Sequence, residues 1–320
     1  MKFGFQVMLR GSAASGDGLT AIAKMGEDQA FDIIAPNDHI IVPNGIQSTY
    51  PYTEDGIWPG ASVVECHDQL TALAFIAGKT NCLRILTSVM VVPYREPVLT
   101  AKIIATADVL SEGRVILGCG AGWMAEEMEA IGVPPFKERG KVTDEYLEIF
   151  KELWTNEKPS YDGNYSQFSD IYFKPKPVQK PHPPIWIGGE SKAALRRVAK
   201  LGDGWFPAAN NPKFIIKDPS SLKGRVDTLK AVCDDEGRDF EDLDIGFFYT
   251  NGVSSEEVIR PDGERQILTG SPSSIADDIS KFSENGVGTL IFIFQRPDLT
   301  ETLEQMEWFG TEIMSMFKNG

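Results

Sequence analysis

Eight short apolar runs, at 3–8, 32–36, 83–91, 114–117, 184–188, 204–207, 243–249 and 289–294, alternate along the chain with segments of helical period. Strand followed by helix from end to end demands a parallel sheet, because each crossover returns the chain to the edge where it began. Eight such units are the number that closes the sheet on itself. The expected fold is therefore an α/β (β/α)8 TIM barrel, one domain over 1–320 with no interdomain linker, and 320 residues suit a barrel carrying insertions.

The helical segments show their period directly. Leu99, Ile103, Ala107 and Leu110 share one face, as do Tyr146, Ile149, Phe150, Leu153 and Trp154. Ser271-Pro272 supplies an N-cap and a first-turn proline, Ile275, Ile279 and Phe282 an apolar stripe, and Gly286 a stop. A last helix carries Leu303, Met306, Phe309, Ile313 and Phe317. Four connections are too long for simple turns, about 37–61, 120–137, 157–183 and 251–270. Three of them follow strands and would crowd the C-terminal face, where barrel enzymes place their sites; the third in order joins a helix to the next strand.

A formal charge of −15 argues against nucleic acid and anionic membrane as partners, since both would be repelled at long range. A phosphate-bearing ligand would need local cations to overcome that field, which directs attention to Arg95, Arg139 and helix N-termini. The four cysteines, Cys66, Cys82, Cys119 and Cys233, are scattered, with no metal or redox spacing. Cys119 has two readings, a reactive thiol in a glycine-rich turn or a small buried filler. The N-terminus starts a strand with no apolar signal core and no stretch reaches membrane-spanning length, so the chain reads as cytoplasmic.

The run Gly118-Cys119-Gly120-Ala121-Gly122-Trp123 follows the fourth apolar run. Glycines after a buried strand let backbone amides approach a flat or anionic ligand, or they merely relieve crowding. The dinucleotide fingerprint needs glycine at its sixth position, and Trp123 stands there. A Rossmann reading fails on that residue.

The stretch 113–123, with Glu126-Glu127-Met128-Glu129-Ala130-Ile131-Gly132 and Phe136-Lys137-Glu138-Arg139-Gly140 after it, resembles the luciferase-like monooxygenase superfamily of flavin- and deazaflavin-dependent oxidoreductases over essentially the whole chain. It is most similar to the branch using the deazaflavin coenzyme F-420. The resemblance implies that Asp38 and His39 lie beside the flavin ring and that Thr87-Ser88-Val89 forms a bulge under it, with a cis peptide between Ser88 and Val89. It further implies that Gly118, Gly120, Ala121 and Gly122, with Gly188, Gly189 and Ser191, line the cofactor. Two departures matter. Trp123 replaces the glutamate proton donor of the branch's sugar-phosphate dehydrogenases, which argues against that activity; it either shapes a pocket or belongs to the core. The segment 207–211 lacks the hydroxyl and lysine expected around an F-420 phosphate, so F-420 and FMN both stand as cofactor.

Hydride transfer at a flavin needs a slot for the ring and a proton donor or acceptor near the substrate. His39 suits the second task, because imidazole titrates near neutrality; His67, in an expected helix, and His182, before the fifth strand, have weaker claims. Asp38 would orient the ring or the imidazole. Tyr52 and Trp58, in the aromatic loop 50–59, form a substrate-pocket wall with Trp123, or else a dimer contact. The expected activity is hydride exchange with a small organic substrate, in a homodimer. The alternatives are an FMN-dependent monooxygenase fed by a separate flavin reductase, and a non-catalytic flavin-binding protein. Three histidines do not support a metal site, and none is expected.

Overall fold

The computed structural model describes residues 1–317. Its barrel strands are β1 (Lys2–Val7), β2 (Ile33–Pro36), β3 (Arg84–Leu86), β4 (Met90–Val91), β5 (Val115–Gly120), β8 (Ile185–Gly188), β9 (Gly204–Phe206), β10 (Asp244–Phe248) and β11 (Thr289–Ile293). A two-stranded hairpin, β6 (Tyr161–Asp162) and β7 (Gln167–Phe168), stands apart. The helices are α1 (Gly16–Asp28), α2 (Gln69–Lys79), α3 (Pro97–Leu110), α4 (Ala125–Ile131), α5 (Arg139–Thr155), α6 (Lys192–Leu201), α7 (Pro219–Glu236), α8 (Pro272–Glu284) and α9 (Leu299–Trp308).

All barrel pairings are parallel, and β3 pairs with β5 as well as β2, which closes the ring. β3 and β4 occupy one position in it, so the barrel has the eight positions expected. Strand alternation sorts the side chains into two cores. Ile33, Ala35, Leu86, Ile116, Trp186, Phe206 and Ile291 fill the interior. Their neighbours Ile34, Ile85, Val115, Leu117, Ile185, Ile187, Trp205 and Leu290 point outward into the larger core under the helices. Trp186 fits inside because β9 and β10 present glycine to it: a Cβ at Gly204 or Gly246 would stand 2.6 Å from its ring.

Several expectations need correction. Strand β5 runs on to Gly120, so Gly118 and Gly120 are strand residues and only Gly122, at φ +83°, belongs to the turn. The apolar face named for α3 is split: Leu99 is 60% and Leu110 73% exposed, Ile103 is partly buried against the core, and only Ala107 packs inward, with Thr100, Ala101, Ile104 and Ala105. Small residues there let α3 approach the barrel closely, and a helix apolar on every side gives period no preferred face. The first insertion continues to residue 68, and the second contains α4. His67 precedes α2 and hydrogen-bonds the Ala14 carbonyl at 2.7 Å. The stripes of α5 and α8 pack as expected, and Cys119 is a buried filler whose thiol pKa burial pushes up.

Candidate active site

The C-terminal mouth of the barrel holds a cavity of about 600 Å³. Its floor begins where β3 breaks from β4. Leu86 pairs with Ile116 and Met90 with Cys119, so four steps on one strand face three on the other, which defines a β-bulge. The Ser88–Val89 peptide within it is cis. The Ser88 amide donates to the Pro36 carbonyl (2.9 Å), and Thr87 Oγ1 donates to the Gly118 carbonyl (2.8 Å). The bulge turns Val89 toward the mouth, between two glycines that leave it room. A Cβ on Gly120 would lie 2.7 Å from Val89 Cγ2, and one on Gly188 3.1 Å from Cγ1.

Ser88, Val89, Gly120, Ala121, Gly122, Gly188, Gly189 and Ser191 all line the cavity. Gly118 does not. A Cβ there would stand 2.0 Å from the Thr87 carbonyl oxygen, so its glycine serves the bulge rather than a ligand. The Ser191 hydroxyl accepts from the Ala194 amide (3.2 Å) as N-cap of α6, so what this element offers the cavity is mainly the positive end of the helix. Arg139 and Arg197 stand on the same wall. Arg139 donates to the carbonyls of Gly122 (3.1 Å) and Phe136 (3.0 Å); Arg197 reaches the Gly140 carbonyl (3.0 Å) and Asp144.

Above the floor the long loop after β2 folds over the mouth. Trp58 is buried, its ring 4.4 Å from that of His39. Trp123 meets Tyr50 (5.0 Å) and Trp58 (6.0 Å) edge to face, and Tyr50 meets Tyr52 (5.6 Å). Tyr52, Trp58 and Trp123 thus form one aromatic wall of the cavity.

His39, 8% exposed, directs Nδ1 to Glu127 Oε2 at 2.8 Å. Glu127 is fully buried and every lone pair that matters is used: Tyr94 Oη donates to Oε2 (2.8 Å), and the amides of Ile40 (2.7 Å) and Ile41 (3.1 Å) donate to Oε1. Burial pushes this carboxyl pKa up, but the hydrogen bond and charge of His39, with the Ile40 and Tyr94 donors, outweigh it and hold the pKa below the ordinary glutamate value. A Glu127 carboxylate favours the tautomer with Nδ1 protonated, which leaves the lone pair on Nε2 of a residue that lines the cavity.

Asp38 lines the cavity but does not orient the imidazole. Its carboxylate takes a two-pronged bond from Arg95 (2.8 Å to each oxygen) and the Val91 amide (2.9 Å). Arg95 also bonds Asp68, the N-cap of α2, so this cluster ties the ends of β2 and β4 to a helix start. Sequence reasoning missed Glu127, Arg10 and Arg197 as cavity or site residues. Glu127 lay inside the quoted motif, but nothing local marks a carboxylate that pairs with a residue 88 positions away.

A family model of luciferase-like monooxygenases matches residues 1–260. An uncharacterized protein of Mycobacterium tuberculosis is 30% identical over 270 residues, 82% of this chain and 90% of its own length. An FMNH2-dependent dimethylsulfone monooxygenase of Pseudomonas putida is 31% identical over 167 residues, 52% of this chain and 44% of that protein. Among solved structures, the coenzyme F-420-dependent tetrahydromethanopterin reductase of Methanopyrus kandleri superposes with a TM-score of 0.74 at 16% identity, covering 99% of each chain. That last likeness is one of fold.

Proposed function

From the premise that the chain belongs to the luciferase-like monooxygenase family, we propose that it is an oxidoreductase binding a flavin or deazaflavin at the barrel mouth and exchanging hydride with a small organic substrate there. The observation that carries this reading is the cradle formed by Val89 between Gly120 and Gly188, a flat floor that any Cβ at either glycine would disturb. The residues fit such a group at both of its ends. Val89 and the Ser88 backbone support a planar ring, while Arg139, Arg197 and the N-terminus of α6 hold its phosphate. FMN and F-420 share that anionic tail, and both suit the cradle.

The bound ring supplies the hydride chemistry; the protein's part is binding, orientation and proton management. Glu127 holds His39 so that Nε2 takes or gives a proton at the substrate. Asp38, bound to Arg95, keeps the β2 end rigid beside the ring site. Tyr52, Trp58 and Trp123 contact the substrate and keep water off it.

Likeness to the dimethylsulfone monooxygenase favours a second reading, oxygenation with reduced FMN supplied by a separate reductase. One set of measurements separates these. Titration of the full chain with FMN and with F-420, followed by ring fluorescence, should give saturable binding of at least one, and failure of both at micromolar concentration refutes the flavin reading. Oxygen uptake with reduced FMN and substrate marks the monooxygenase; a deazaflavin does not support it.

The chain acts as a single domain and, we infer, as a homodimer joined through the outward apolar face of α3. Four free cysteines suit a reducing, cytoplasmic setting. No helix among the described residues is long and apolar enough to cross a membrane.

A further inference from the structure

The charged residues on the cavity wall are unbalanced in a chain of net charge −15: three arginines, 10, 139 and 197, and one carboxylate, Asp38, already bound to Arg95. Two of the arginines have oxygen acceptors, Arg139 two carbonyls and Arg197 a carbonyl and Asp144. Arg10 has none among the described residues. Its Nη2 approaches only the Met8 thioether at 3.6 Å, and its guanidinium lies over the Trp58 ring at 5.2 Å.

Arg10 follows β1, and the ring order places β1 opposite β8, four positions away in either direction. The phosphate cradle at α6 follows β8, so Arg10 faces the cavity from the other side, next to His39's partner Trp58 and the loop containing Tyr50. A half-buried guanidinium whose acceptor among the described residues is a thioether and not an oxygen is poorly solvated and poorly paired at once, which favours an anion arriving from outside. The aromatic wall beside it calls for an apolar body on that anion.

We propose that Arg10 is a specificity-determining residue that binds the carboxylate of the substrate, whose class is a small carboxylic acid with an aromatic or apolar body. The planar fork of Arg10 matches a carboxylate with two parallel bonds, and the rings of Tyr50, Trp58 and Trp123 take the body and bring it beside His39 Nε2. This inference rests on the proposed function for the choice of reaction but not for the binding itself.

The test uses the full chain and benzoate as probe, with benzamide as its neutral counterpart, read by quenching of tryptophan fluorescence from the wall. Benzoate is expected to bind saturably and more tightly than benzamide, and Arg10→Gln to weaken it by at least about tenfold. Arg10→Lys should restore part of the loss, and benzamide should be indifferent to both variants. The FMN and F-420 titrations should not move. Equal binding of benzoate and benzamide, or benzoate binding unchanged in Arg10→Gln, overturns the proposal. A tenfold loss of FMN or F-420 affinity in that variant overturns it too, since Arg10 would then serve the cofactor. If the unaltered chain binds neither cofactor, the flavin reading fails while the benzoate comparison remains readable. Among the described residues Arg10 makes only the contacts to Met8 and Trp58 and no ion pair, and unchanged melting curves verify that both variants fold.

Discussion

The proton chemistry assigned to His39 depends on one buried carboxylate. Replacing His39 by Gln should lower turnover by about 10²–10⁴-fold, the usual worth of a positioned acid or base, while FMN or F-420 affinity stays within a few-fold. Glu127→Gln should cost about a hundredfold, because an amide no longer favours the Nδ1–H tautomer. Steady-state kinetics beside cofactor titration check both; equal losses in binding and turnover would instead mean a collapsed site. Glu127 also carries a pH signature. Its pKa is depressed in the folded state, so its contribution to stability is fully present above the ordinary glutamate value, about 4.3, and is lost as pH falls below that value through the folded one. Melting temperatures of the parent and Glu127→Gln, followed from pH 7 to pH 3, should therefore draw closer once pH falls below about 4.3. A gap that persists unchanged to pH 3 would show that the carboxylate is not held ionised. The histidine was legible in the sequence because only three exist and one ends a barrel strand. Its true partner was not, since a glutamate beginning a polar helix looks solvated until the chain closes and buries it.

At the scale of elements, the bulge between β3 and β4 decides the shape of the floor, and its two glycine neighbours do different work. Gly118→Ala drives a Cβ into the Thr87 carbonyl, a backbone atom with nowhere to go, and should destabilise the barrel by about 1–3 kcal/mol. Gly120→Ala meets only the Val89 side chain, so melting should change less while cofactor affinity falls by about tenfold as the floor is displaced. Thermal melts paired with titrations separate the two; equal effects on both properties would mean that the bulge and the floor are one feature. The strands were legible from their apolar composition and from the turn residues around them. The break in the third was legible only through family resemblance, because the run 83–91 reads as continuous. Helix α3 was misread for a physical reason. Alanine packs inward there because it permits close approach, and the larger leucines, which dominate any hydrophobic count, are left outside.

For the whole molecule, those same leucines become the clue. Leu99 and Leu110 are three turns apart on one face of α3, mostly exposed, and Phe75 on the neighbouring α2 is exposed as well. Isolated surface leucines need no explanation, but two on one helix face, with Phe75 nearby and Lys102 and Thr106 between them, offer apolar area that a second protein surface would cover in preference to water. A second copy of this chain would meet this face with the same face, as a two-fold interface requires, and the apolar contact would have to outweigh the mutual repulsion of two bodies each carrying −15. Light scattering should then give twice the 35.3 kDa chain mass, and a melting temperature that rises with protein concentration. The double variant Leu99→Asp/Leu110→Asp should run at the chain mass, with its concentration dependence gone but its cofactor titration intact, because both side chains point away from the barrel. An unaltered chain that stays monomeric at tens of micromolar, or a double variant that remains dimeric, would place the interface elsewhere or remove it.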